Sequence, residues 1–305
     1  MKIGILGSGS VGSFFGSFLS EAGHDVTFIA RGAHLAEMNK KGLLIKRDND
    51  EITIHNTFTE DISALAECEL VLFCVKSGDT RETAEKLVGV LNKSASVMSF
   101  QNGVSNEEVL VDVFGEDRVL SAVVFVQAAI KSPGVVEQYG SYGLVIGGLS
   151  EIGMNAAEKI AIVLKEAGVP VKCTDQVMLR KWKKYLFSLL FNPLTAAIDK
   201  TIGEILEDPH LKKIAWSIGL ETVQVAALCG IPLTEKDIEQ AFQNAELAKT
   251  HATSMLQDIR KGKVTEADEL VGYVLDKAEI HGLSIDTLKT IYFILKNKEN
   301  NLPTT

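Results

Sequence analysis

The chain has 305 residues, 46% of them apolar and 23% charged, with a formal net charge of -9. That length suits two domains, each large enough to bury its own core. The acidic balance argues against nonspecific binding to nucleic acid or an anionic membrane surface, and no uninterrupted apolar run is long enough to span a bilayer.

Ile3, Ile5 and Leu6 predict a short buried strand at the very start of the chain, so no signal peptide is expected there. Gly7-Ser8-Gly9-Ser10-Val11-Gly12 follows, and an apolar helix is predicted over 11–22. G-x-G-x-x-G between a strand and a helix is the context in which this motif is informative. Gly7 permits the tight turn, Gly9 lets a pyrophosphate approach the backbone, and Gly12 lets the helix pack close on the strand. Free N–H groups at the helix start would hold the phosphates. Gly7, Ser8, Gly9, Ser10, Val11 and Gly12 are therefore candidate cofactor-binding residues. A second strand over 24–30 ends at Arg31-Gly32. An NAD-binding fold places an acidic residue here for the ribose 2′-hydroxyl. Arg31 could instead pair with a 2′-phosphate through two hydrogen bonds, which predicts NADP(H). The alternative is a solvated arginine beside a turn.

A helix is predicted over 34–41, then strands over 43–45 and 52–54 with a turn at Asp48-Asn49-Asp50. The apolar run 70–75, with Cys74 inside it, reads as a parallel strand covered on both faces. Strands over 97–100 and 119–127 follow, with helices over 80–91 and 106–114 between them. This alternation predicts right-handed crossovers and a doubly wound α/β sheet. Arg31, Lys76 and Asn102 each follow the carboxyl end of a strand, the edge where open parallel sheets bind ligands. Lys76 could contact cofactor phosphate or ribose, and Asn102 the ribose, the nicotinamide amide or the substrate. Singly, they also read as an exposed loop lysine and an Asn-Gly turn residue. Ser132-Pro133-Gly134 predicts a turn into a strand at Val135-Val136, with another strand over 143–147 and an amphipathic helix over 155–167. The first domain is expected to end at 172.

From 173 onward strand signals vanish and helical periods dominate. In the helix predicted over 180–192, Lys184, Ser188 and Asn192 stand at i, i+4 and i+8, one polar line on an apolar helix. Lys184 either belongs to the basic cluster at the helix start and snorkels to solvent, or lines a pocket with Ser188 and Asn192. Pro193 is expected to end or kink this helix. Helices over 211–230 and 235–248 follow, with Thr234 as a cap. A helix closing over 254–260 is broken by Lys261-Gly262-Lys263. Thr265-Glu266-Ala267-Asp268 has capping-box form, so Glu266 could simply favour a helix dipole. A last helix over 283–295 leaves a frayed tail over 297–305. These apolar helices could supply a homodimer interface. Cys68, Cys74, Cys173 and Cys229 have no paired spacing and read as reduced thiols of a cytoplasmic protein. The histidines form no H-x-x-x-H pattern, so no metal is expected.

Several blocks carry a resemblance to the ketopantoate reductase (2-dehydropantoate 2-reductase) family over essentially the full length. They are the Gly7–Gly12 motif, Arg31, Cys74-Val75-Lys76-Ser77, Gln101-Asn102-Gly103-Val104, Pro133-Gly134-Val135-Val136, Trp182-Lys183-Lys184, Asn192-Pro193-Leu194-Thr195-Ala196, and Ser254-Met255-Leu256-Gln257-Asp258 with Thr265-Glu266. The resemblance implies a Rossmann-type α/β dinucleotide-binding domain over 1–172 and an all-helical substrate and catalytic domain over 173–305. It implies NADPH-dependent reduction of the C2 carbonyl of ketopantoate, a small 2-oxo acid, to pantoate in pantothenate and coenzyme A biosynthesis. By the same resemblance Lys184 is the proton donor, Asn192 and Ser254 bind substrate, and Asn102 bridges cofactor and substrate. Glu266 sits near the nicotinamide ribose and the substrate, and Ala128 makes a backbone contact to the cofactor. Two positions depart from the family: Ser188 stands where an asparagine is usual, and Ser132 where a histidine is typical. Ser188 is at a substrate position and bears on which 2-oxo acid is used. Two alternatives therefore stand beside the first reading: a related NADPH-dependent reductase of another branched 2-oxo acid, and a non-catalytic NADP(H)-binding sensor. The intact Lys184 and Asn192 argue against the sensor.

Overall fold

Ten strands of a computed structural model, which describes residues 1–47, 50–250 and 252–302, form one sheet. They are β1 (Lys2–Leu6), β2 (Asp25–Ile29), β3 (Leu43–Arg47), β4 (Asp50–Ile54), β5 (Thr57–Thr59), β6 (Leu70–Phe73), β7 (Ser96–Ser99), β8 (Val119–Ser132), β9 (Val135–Gly148) and β10 (Val171–Cys173). Helices α1 (Ser10–Glu21), α2 (Gly32–Lys41), α3 (Thr80–Val88), α4 (Ser105–Phe114) and α5 (Glu151–Glu166) belong to the same unit, Met1–Met178. The sheet order is β4-β3-β9-β8-β7-β6-β1-β2-β5, with β10 on β9. Its stretch β5-β2-β1-β6-β7-β8 is all parallel and reproduces the 3-2-1-4-5-6 order of dinucleotide-binding folds.

The central strands are apolar on both sides because both sides are covered. Leu70 and Leu72 of β6 enter the core shared with Phe14, Phe15 and Leu164, on α1 and α5. Val71 and Phe73 enter a second core with Leu87 and Leu110, on α3 and α4. Each fully buried side chain of this kind contributes about 1.5–3 kcal/mol. Arg47, at the end of β3, ties that strand to α1. Its guanidinium donates to Ser17 Oγ at 2.7 Å, pairs with Glu21, and lies 3.9 Å over the Phe18 ring.

Several details differ from expectation. The strands expected at 135–136 and 143–147 are one 14-residue strand, β9, antiparallel to a β8 of equal length. Cys74 follows β6 instead of lying within it. β5 is only three residues long and carried no pattern of its own. The turn expected at Asp48-Asn49 lies outside the described residues.

The second unit, Leu179–Thr305, contains helices and, among the described residues, no strand. They are α6 (Val177–Ile198, starting just before the unit), α7 (Ile202–Glu207), α8 (Pro209–Leu228), α9 (Glu235–Glu246), α10 (Ser254–Arg260), α11 (Tyr273–Ile280) and α12 (Asp286–Asn300). Pro193 does not end α6, which runs on to Ile198. The ring removes the donor for the Leu189 carbonyl, but burial of Leu189, Leu190, Phe191 and Leu194 holds the helix through that point. Asp199, at φ 53, then stops it, and its carboxylate receives Arg260 at 2.7 Å. α7 is an addition to the expected helices, and Thr201 and Glu204 form a full capping box at its start. α12 reaches Asn300, beyond the start of the expected tail, and residues 303–305 lie outside the description. No helix of the described residues is long and apolar enough to cross a membrane.

Candidate active site

The glycine turn is built as its spacing requires. Gly7 has φ +97, and a Cβ there would come within 2.8 Å of the Cys74–Val75 backbone. A Cβ on Gly12 would stand 2.5 Å from the Gly7 carbonyl oxygen and 2.9 Å from Ile5, so α1 packs directly on β1. A Cβ on Gly9 would meet nothing within 4 Å. The space before Gly9 is open, as an approaching pyrophosphate needs. The Ser8 and Gly9 N–H groups are spent on Ile29 and Gly7 carbonyls, both at 2.8 Å. The first-turn N–H groups of Ser10, Val11 and Gly12 have no intrahelical acceptor. No side chain caps this helix and no acidic residue occupies its first turn. The cradle fits the phosphates of a dinucleotide.

The parallel pairing sets the carboxyl ends of β1, β2, β6 and β7 along one edge, where Gly7, Arg31, Lys76 and Asn102 follow. Arg31 is exposed and its Nη2 stands 3.7 Å from the Asp79 carboxylate, also exposed, a loose pair worth little by itself. Lys76 and Asn102 are exposed as well. Their loops are stapled beneath by buried polar side chains that sequence reasoning missed. Gln101 Nε2 donates to the Val75 carbonyl at 3.0 Å and to Thr80 Oγ1 at 2.7 Å. Thr80 donates to Asn106 Oδ1 at 2.8 Å, and Asn106 Nδ2 donates to Ser77 Oγ and the Asn102 carbonyl at 3.2 and 2.9 Å. His34 is a further unexpected anchor: its Nδ1 accepts from Gly134 N at 3.0 Å, while burial pushes its pKa down. Ala128, half-buried in β8, pairs with Gln138 just past a register shift between Phe125 and Gln127.

In the second unit α6 carries Lys184, Ser188 and Asn192 on one line, and all three are half-buried. Their neighbour Lys183 turns away to an ion pair with Asp237 of α9 at 2.7 Å. Burial, helped by the nearby Lys181 charge, pulls the Lys184 ammonium down from 10.5 to about 8. Ser188 donates its hydroxyl to the Lys184 carbonyl at 3.2 Å, leaving lone pairs for another donor. The Asn192 carbonyl accepts from Thr195 Oγ1 at 3.0 Å. Thr195 in turn meets Thr253 Oγ1 at 2.7 Å, and Thr253 caps α10 by accepting from Leu256 N at 3.2 Å. Ser254, the exposed first residue of α10, directly follows Thr253, which this array ties to the Asn192 carbonyl.

Glu266 is exposed and stands just before a π-helical turn, Asp268–Gly272, with its carbonyl accepting from Leu270 N at 3.0 Å. The Leu270 carbonyl accepts from the Tyr185 hydroxyl, which connects this segment to α6 beside Lys184. The expected Thr265–Asp268 capping box does not form. Thr265 donates its N–H and hydroxyl to Glu299 Oε1, at 2.8 and 2.6 Å, and Asp268 accepts instead from Tyr292 and Lys296. Glu299 lies 34 residues from Thr265, so no local spacing announced it.

Comparison with known proteins agrees with this architecture at every scale. The model of the ketopantoate reductase PanE/ApbA family matches residues 3–151, and that of its C-terminal domain matches residues 176–299. The 2-dehydropantoate 2-reductase of Pyrococcus horikoshii is 31% identical, with 98% of each chain covered. The crystal structure of a PanE/ApbA family ketopantoate reductase from Ralstonia eutropha JMP134 superposes with a TM-score of 0.91 at 30% identity, covering 99% of both chains. A D-mandelate dehydrogenase structure with NADH and anilino(oxo)acetate shares the fold, with a TM-score of 0.89 at 23% identity over 99% of both chains. The glycine cradle, the Rossmann strand order, the helical second unit and the full-length identity converge: the chain belongs to the ketopantoate reductase PanE/ApbA family of dinucleotide-binding oxidoreductases.

Proposed function

We propose that this chain is an NADPH-dependent 2-dehydropantoate 2-reductase, converting ketopantoate to pantoate in the cytoplasmic supply of pantothenate and coenzyme A. In this reading residues 1–172 serve the cofactor and residues 173–305 the substrate. The observation that carries it is Lys184, a half-buried lysine in line with Ser188 and Asn192 whose ammonium is pulled down to about 8. NADPH, when bound, supplies a hydride to the C2 carbonyl. Lys184 Nζ stabilises the charge growing on the carbonyl oxygen and gives it a proton. A lysine with a pKa near 8 is still protonated at neutral pH, yet releases its proton more readily than an ordinary lysine. Asn192 and Ser254 hold the substrate, Asn102 bridges to the cofactor, and Glu266 orients the nicotinamide ribose and the substrate. Gly7 to Gly12 hold the pyrophosphate, Lys76 contacts cofactor phosphate or ribose, the Ala128 backbone contacts the cofactor, and Arg31 takes the 2′-phosphate. A homodimer through the helical unit belongs to the same reading, with Phe293 and Ile294 exposed on α12.

Ser188 favours a second reading, a reductase of a related branched 2-oxo acid, because the position one turn from Lys184 carries a short hydroxyl. Turnover assays with NADPH or NADH and either ketopantoate or 2-oxoisovalerate separate the readings. NADPH is expected to bind more tightly than NADH, and Arg31→Ala to lose chiefly that preference, about 1.5–3 kcal/mol. Equal affinities in the unaltered protein would sink the NADP(H) assignment. NADPH binding without turnover of any branched 2-oxo acid would favour a sensor.

A further inference from the structure

Glu266 lies at the start of the helical run that passes through the π-helical turn into α11, and both of its flanks are held by one other helix. On one side, Glu299 Oε1 accepts from the Thr265 N–H at 2.8 Å and from its hydroxyl at 2.6 Å. On the other, the Asp268 carboxylate accepts from the Tyr292 hydroxyl at 2.6 Å and from Lys296 Nζ at 2.9 Å. Lys296 also pairs with Glu299 at 2.8 Å, so the two grips are joined. All three gripping residues are on α12, and Glu299 is 6% exposed. A carboxylate so buried is expensive unless its acceptors are used. Here it takes both donors of Thr265, whose Oγ1 accepts in turn from Ala267 N at 3.2 Å, and the π-helical turn that follows runs directly into α11. The helix is itself anchored, since Lys298 Nζ donates to the Ala196 carbonyl at 2.9 Å near the end of α6. The Tyr292 hydroxyl, pushed up to about 12 by burial and by Asp268, remains a donor throughout the neutral range.

We propose that Glu299, with Tyr292 and Lys296, is a positioning residue for Glu266: α12 clamps Thr265 and Asp268 and so fixes where the Glu266 carboxylate is presented to cofactor and substrate. This rests on the reading that Glu266 contacts them. The clamp touches neither ligand; it acts through the backbone on both sides of Glu266.

The test is a double-mutant cycle on the full-length protein, assayed with NADPH and the better of ketopantoate and 2-oxoisovalerate. Glu299→Ala is expected to lower kcat/KM by about tenfold or more, because a small misplacement of a working group is costly. In a Glu266→Ala background the same substitution is expected to cost almost nothing further, since the group being positioned is gone. Glu299→Gln, which keeps an acceptor for Thr265, is expected to restore most of the loss. Should Glu299→Ala fail to fold by circular dichroism, Tyr292→Phe removes a single hydroxyl and is expected to cost about threefold, again non-additively with Glu266→Ala. A folded Glu299→Ala with unchanged kcat/KM, or losses that simply add to those of Glu266→Ala, would overturn the clamp while leaving the reductase reading intact. A Glu266→Ala protein as active as the unaltered one would overturn the role assigned to Glu266 and the clamp with it.

Discussion

Thr195 and Thr253 join hydroxyls at 2.7 Å, and through that bond the Asn192 carbonyl and the first turn of α10 become one array. Both threonines are buried, so each hydroxyl depends on its protein partners. Thr253→Val keeps the volume but loses the cap and the shared bond. It is expected to destabilise the protein by about 1–3 kcal/mol in chemical denaturation. It should also raise KM for the 2-oxo acid more than it lowers kcat, because Ser254 rides on the released turn. Unchanged stability would show that the pair contributes nothing to the helical unit.

Gly9 and Gly12 separate cofactor binding from folding. Gly9→Ala places its methyl in open space, so the melting temperature should hold while NADPH affinity falls, measured by fluorescence titration. Gly12→Ala drives a methyl to 2.5 Å from the Gly7 carbonyl, so stability and binding should fall together. A Gly9→Ala protein with full cofactor affinity would place the phosphates elsewhere.

The Lys184 ammonium sets a pH signature. In the proposed mechanism the charged form of Lys184 gives the proton, and burial moves its loss from 10.5 to about 8. The profile of kcat/KM should therefore be level below that pH and fall about tenfold per pH unit above it, since this profile reports the free enzyme. Lys184→Ala should fold and lose about 10²–10⁴-fold in turnover. A loss under about tenfold would remove lysine from the donor role.

Ser188 already gives its proton to the Lys184 carbonyl, so toward a substrate it can only accept. The ketopantoate hydroxyl would reach it directly or through a water, which costs about 0–2 kcal/mol in immobilisation. Ser188→Asn is expected to raise the kcat/KM preference for ketopantoate over 2-oxoisovalerate, which lacks that hydroxyl. An unchanged ratio would mean that this position does not touch the substrate.

Much of the fold was legible because it is written in local patterns. The run 70–73 is apolar at every position because both sheet faces are covered, and the glycines at 7 and 12 each meet a local constraint. The line Lys184–Ser188–Asn192 followed from helical spacing alone. Polar Glu137 and Gln138 and then Gly140 interrupt the apolar run of β9, so its pattern reads as two strands, although one strand continues through them. Pro193 does not end α6 because burial around it outweighs one missing donor. The supports beneath the site were not legible. Thr80 with Gln101, Thr195 with Thr253 and Thr265 with Glu299 are 21, 58 and 34 residues apart, and such pairs leave no periodicity to read.

β3 lies between β4 and β9, and its parallel partners, Val135 to Gln138, are about ninety residues downstream. During synthesis Leu43 and Ile45 are therefore made long before the strand that covers their open edge. Pairing over such a separation requires a large loop to close first, which slows folding. A chain stopped before residue 135 would present the β3–β4 ribbon with an unpaired apolar edge, a template for another chain. Completion of the long β8–β9 hairpin is thus the event that protects the nascent protein from self-association, well after the cofactor cradle itself has been translated.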